Sequence, residues 1–131
     1  MGVEYTWGVG YGIAVPLDDD GEERLIEVLN NHFGTDVDQE DGLWEFDGLE
    51  AVTETGLEIN WVGNAWSGTD QHALILVKGA GNSGNMNEAA GVRMLDPGVP
   101  ANTAIVSLMH RLLGAKIGFH GPGWMAYGSV I

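Results

Sequence analysis

Cysteine is absent from the 131 residues, so neither a disulfide framework nor a thiolate metal site can staple the chain or activate a substrate. A reducing compartment, the cytoplasm, is the expectation that follows. Basic residues are scarce too, five lysines and arginines against nineteen acids, a formal net charge of −14. A field of that sign opposes phosphate, and direct nucleic-acid binding is not expected. No stretch approaches the roughly 18 apolar residues that a membrane span needs. The opening Met1-Gly2-Val3-Glu4-Tyr5-Thr6 has neither the basic nor the apolar region of a secretory signal. Gly2 and Thr6 do match the bare N-myristoylation pattern. A single acyl chain without a basic patch binds membranes only marginally, so the start of a strand is the better reading.

What is present is the composition of a globular protein, 44% hydrophobic and 18% charged, at a length that one core can serve. A single domain over residues 1–131 is expected. The charge is unevenly spread. Residues 1–65 hold sixteen acids against Arg24 alone, a net of −15, whereas residues 66–131 hold three acids and four bases, a net of +1. Such a field favours solubility, and it steers the chain toward basic partners or cations.

Residues 3–15 alternate, with Val3, Tyr5, Trp7, Val9, Tyr11, Ile13 and Val15 on one face and Gly8, Gly10, Gly12 and Ala14 on the other. This predicts a strand with one bare face, against which a helix or another backbone packs closely. Asp20 with Glu22 and Glu23 marks a helix start with a capping box, and Gly34 marks its stop. Leu25, Ile26, Leu29 and Phe33 make its buried stripe, with Asn30 toward solvent and His32 complementing the helix dipole at the end.

Short strands are expected at Leu43–Phe46 and Leu49–Thr53, with a firmer one at Leu57–Val62. The unbroken apolar run His72–Lys78 reads as a central strand covered on both faces. After a Gly79–Asn87 loop come a strand at Val92–Leu95, a largely buried helix capped by Asn102 or Thr103, and a hairpin of Lys116–His120 with Trp124–Val130. The fold class is α+β, a mixed or mainly antiparallel sheet of about five to seven strands with two helices packed on it.

No catalytic signature survives inspection. Gly79-x-Gly81-x-x-Gly84 follows a strand as a dinucleotide fingerprint does, but Gly91 leaves room for little more than one helical turn. The acid expected about twenty residues on is missing. The loop's N–H groups remain able to bind a small anion. Asn85 after Gly84 excludes a Walker loop, and it also denies Ser83 the last glycine of a nucleophile elbow.

Asp36, Asp38, Glu40 and Asp47 imitate calcium-loop spacing, but Asp41 stands where the glycine belongs. Weak divalent-cation binding fits this segment better than a dedicated site. The four histidines form no ligand pattern. No catalytic residue, cofactor or metal ligand is therefore assigned. The five tryptophans read mostly as core, while Trp61 and Trp66, flanking Asn60, Gly63, Asn64 and Ala65, and Trp44, standing among acids, also fit partner anchors or a surface for sugar stacking.

The segments TWGVGYGIAVP, GEERLIEVLNNHFG and GNAWSGTDQHALILVKG together resemble small acidic accessory proteins of actinobacterial viruses. Some such proteins bind and inhibit host proteins, and the resemblance assigns no functional residue. With the net −15 of residues 1–65, the expectation is a non-enzymatic module that binds a basic patch on a host protein. The acidic half would supply the contact, through Glu22, Glu23, Glu27, Asp36, Asp38, Glu40, Asp41 and Trp44. Two alternatives stand beside it: a small-ligand or metal-dependent enzyme using the Gly79–Asn87 loop, and a self-assembling structural protein, hence a homo-oligomer.

Overall fold

A computed structural model describes residues 5–18, 20–62, 71–85 and 91–130. In chain order the elements are β1 (Tyr5–Pro16), α1 (Gly21–Phe33), a 3-10 turn (Leu43–Phe46), α2 (Glu50–Thr53), β2 (Leu57–Val62), β3 (His72–Val77), β4 (Asn82–Asn85), α3 (Val99–Gly114) and β5 (His120–Val130). The strands form one five-stranded antiparallel sheet on an α+β plan, as the pattern predicts.

Strand β1 organises the sheet. One of its edges pairs with β5 from Tyr5 to Ala14. The other edge takes β4 along Thr6–Val9 and β3 along Gly12–Pro16. Strands β3 and β4 therefore lie end to end against the same neighbour, with 78–81 looping out between them. Strand β2 pairs with the far edge of β3.

The helices cover one face. Ile13, Val15, Ala73, Ile75, Val77, Leu57 and Ile59 meet Leu25, Ile26 and Leu29 of α1 and Ala101, Ile105, Leu108 and Leu112 of α3. Each fully buried leucine or isoleucine contributes about 1.5–3 kcal/mol against remaining in water. The apolar run of β3 is explained by cover on both sides, since Leu74 and Leu76 are buried on the opposite face in a smaller cluster with Val62, Ala14, Met125 and Tyr127.

The sheet curls around that smaller cluster, bringing Cα atoms of the outer strands β2 and β5 within 8 Å. The glycine row of β1 permits this. A Cβ on Gly8 would lie 2.2 Å from the Tyr127 ring, and one on Gly10 would lie 2.7 Å from Leu76 Cδ1. At Gly12 the obstacle is backbone, the Ile75 carbonyl oxygen at 2.0 Å. The expected close backbone is thus found at Gly12, whereas side chains and not a helix fill the groove at Gly8 and Gly10.

Several local expectations need correction. Leu43–Phe46 and Leu49–Thr53 are a 3-10 turn and a short helix, because positive φ at Gly42 and Gly48 breaks any extended run. Asp20 makes no side-chain cap bond, although Gly34 closes α1 in the left-handed conformation at φ 68°. Asn30 does not face solvent but holds the following connection, bonding Val37 through both amide atoms at 2.9 Å. Residues 82–85 form β4 inside the predicted loop, and 92–95 form no strand.

Helix α3 starts at Val99 with Pro100 in its first turn, and it is half exposed. The C-terminal segment is one strand running through Gly121, Pro122 and Gly123, not a hairpin. The N-myristoylation pattern and Trp66 fall largely or wholly outside the described residues. Of the other tryptophans, Trp7 and Trp61 are half-buried and Trp44 and Trp124 exposed, so none is core. No helix among the described residues is long and apolar enough to cross a membrane.

Candidate functional site

The acidic half builds a pocket at one end of the sheet. Gly42, at φ 84°, turns the exposed connection after α1 into the 3-10 turn, whose Leu43 and Phe46 are anchored in the core. Trp44 between them is forced outward, 72% exposed. Its indole N–H donates to the Asp41 carbonyl, which fixes the ring beside the acidic connection. Glu22, in the first turn of α1, accepts from the Leu43 N–H at 3.3 Å and ties the helix start to that turn.

These residues, with Glu40, Trp61 of β2 and Gln71 before β3, line a cavity of about 390 Å3. Its three carboxylates and two indoles match a cationic group, which gains charge-assisted hydrogen bonds from the acids and quadrupole attraction from the rings. Among the described residues no three acid or histidine groups converge to hold a metal ion.

Of the eight residues predicted to bind a partner, the fold brings four to this pocket: Glu22, Glu40, Asp41 and Trp44. Glu23 and Glu27 lie on the exposed face of α1, and Asp36 and Asp38 on the exposed connection. They extend the acidic surface without lining the cavity. Trp61 was visible in the sequence as an aromatic among polar residues. Gln71 gave no signal, since its place depends on how β3 meets β1, where Leu17 N–H reaches its carbonyl at 2.9 Å.

A second concavity lies on the curled face and takes in the start of the Gly79–Asn87 loop, from which small-anion binding was expected, together with residues that gave no signal in the sequence, Glu58, Arg93 and Tyr127. It holds about 440 Å3 and is lined by Glu58, Lys78, Asn82, Ser83, Arg93 and Tyr127, with the backbone around Gly79 and Gly81. Burial raises the Glu58 carboxyl above its ordinary 4.5, with Asp47 adding to the rise and Lys78 opposing it. Burial likewise raises the Tyr127 phenol, helped by the Glu58 charge.

His32 stands in the last turn of α1, where its positive form would complement the helix dipole. Its ring packs edge-on against Phe33, at a centroid distance of 4.8 Å, and Nδ1 is buried without a hydrogen-bond partner. Burial, and then the Arg111 charge, lower its pKa from 6.5 and favour the neutral ring. His110 and His120 are exposed.

No family model, curated protein or solved structure matches the chain. What the fold and site define on their own is a curled antiparallel α+β domain with an acidic, indole-walled pocket at one end of its sheet.

Proposed function

We propose that this chain is a non-enzymatic interaction module, an accessory protein of an actinobacterial virus, that binds a basic patch on a host protein in the cytoplasm. The observation that carries the reading is that Glu22, Glu40 and Asp41 line one cavity of about 390 Å3 together with Trp44 and Trp61. A lysine or arginine of the partner seats in that cavity, and Glu23, Glu27, Asp36 and Asp38 attract the basic surface around it. Exposed indoles at the centre of a contact are frequent hot spots, and the acids give on-rate and selectivity.

The test is a tagged pull-down from an actinobacterial lysate at low and moderate salt, with a Glu40→Gln, Asp41→Asn, Trp44→Ala variant as control. One partner retained by the native chain and lost by the variant is expected. Equal retention by both overturns the reading.

Self-association is favoured by a separate observation. Val99, Val106 and Leu113, seven residues apart on the outer face of α3, are 78%, 46% and 60% exposed. A defined oligomer in light scattering supports that role, and a monomer at high concentration dismisses it.

A further inference from the structure

The concavity on the curled face differs from the acidic pocket in the sign of its charge. The whole chain has five lysines and arginines. Two of them, Lys78 and Arg93, line this one cavity, with Glu58 as its acid. On a molecule of net charge −14 a local excess of positive charge offers an anion one of few places to bind, and the concavity of Arg24 and Lys116 beside Asp18 has the same balance.

Arg93 is also held in place. Its backbone N–H donates to Asn82 Oδ1 at 2.8 Å, Asn82 Nδ2 donates to the Gly91 carbonyl at 2.8 Å, and its guanidinium donates to the Gly81 carbonyl at 2.9 Å. This clamp pins segment 91–93 to the start of β4 and keeps the arginine at the cavity wall. A guanidinium has five N–H donors, so the bond to Gly81 leaves a fork able to meet an oxyanion in a bidentate pair.

The remaining walls supply neutral donors, the Ser83 and Tyr127 hydroxyls, and the backbone lets a ligand approach closely at Gly79, where a Cβ would meet open space, whereas at Gly81 the Val9 carbonyl fills that space. Burial and Asp47 raise the Glu58 carboxyl above its ordinary range, and Lys78 opposes the rise. The volume falls within the roughly 300–1,000 Å3 of small-molecule sites.

We propose that the cavity between β2, the 78–83 segment, Arg93 and Tyr127 is a binding site for the phosphate or carboxylate group of a small metabolite, with Arg93 and Lys78 as its anchors. This site is independent of the acidic pocket and of the partner that pocket receives. Arg93 forms the bidentate contact, Lys78 adds a point charge, and Asn82 acts as a positioning residue through its clamp on the 91–93 segment.

Isothermal titration of the full chain at low ionic strength with inorganic phosphate, and separately with acetate, tests the proposal. Saturable one-to-one binding of at least one probe is expected, and which probe binds identifies the group recognised. Loss of one charge-assisted contact in Arg93→Ala or Lys78→Ala should weaken it about tenfold or more. A Glu40→Gln variant, altered in the other pocket, should bind as the native chain does. Circular dichroism confirms that each variant is folded, which is expected since Lys78 and Arg93 are exposed. Absence of saturable heat with both probes overturns the proposal, as does unchanged affinity in Arg93→Ala and Lys78→Ala.

Discussion

Trp44 rides on a turn whose flanking Leu43 and Phe46 are buried, so its position is set by residues other than itself. Replacing Trp44 by alanine should leave unfolding free energy within about 0.5 kcal/mol of native, as for other exposed positions. Binding of the captured host partner should weaken by about 2 kcal/mol or more, read by titration, if the indole is a hot spot. Gly8 is the opposite case, a residue that touches no ligand and yet limits the fold. Alanine there meets the Tyr127 ring at 2.2 Å, and urea unfolding should show a loss of about 1–3 kcal/mol from overpacking.

Two titrating groups act on stability in opposite directions. His32 has a folded pKa below 6.5, so the unfolded chain binds the extra proton and stability falls as pH drops through that window. Glu58 has a folded pKa above 4.5, so its contribution is full below 4.5 and is lost as pH rises through the folded value. Denaturant unfolding across pH 4–8 separates them. His32→Leu should flatten the acid side of the profile, and Glu58→Gln should remove the decline on the rising side.

Among the elements, those with a strong period were legible and those governed by contact were not. The alternation of β1, the stripe of α1 with its Gly34 stop, and the apolar run of β3 each state their environment locally, and they formed as read. Leu43–Phe46 failed because so short a segment, with apolar Leu43, Trp44 and Phe46, fits a turn as well as a strand, and Gly42 and Gly48 decide between them through backbone sign. The last strand was split in two because Gly121-Pro122-Gly123 has turn composition, whereas its pairing with Gly12 carries it through.

The same distinction applies to the sites. Of the residues named from acid density, Glu22, Glu40 and Asp41 line the first pocket beside Trp44, whereas Glu58, Arg93 and Tyr127 of the second come from three distant segments that only the fold joins to the Gly79–Gly81 loop. Helix α3 gives an element-scale check. Gly114 ends it with open space where a Cβ would stand and without a positive φ. Alanine at that position should raise unfolding free energy by about 0.5–1 kcal/mol, measured in urea.

Over the whole molecule, the two proposed sites turn the charge division of the sequence into a division of surfaces, three acids around a pocket at one end of the sheet and Lys78 with Arg93 around a cavity on the curled face. Screening distinguishes them from packing. With a Debye length of about 10 Å at 0.1 M salt, association with a basic partner should slow steeply between 20 and 200 mM, as stopped-flow mixing would record, whereas dissociation should change little.

The pairing of Tyr5 with Val130 has a further consequence. The first strand of the sequence needs the last one to satisfy one whole edge, and it needs two separate middle segments to satisfy the other. No contiguous fragment of the chain contains a complete set of partners for it. The domain is therefore indivisible in time as well as in space, and folding must await a closure spanning nearly the entire sequence. Such closures make for high contact order and slow, all-or-none kinetics. The two ends of the sheet, brought side by side, are also natural points to join in a permuted chain that opens elsewhere.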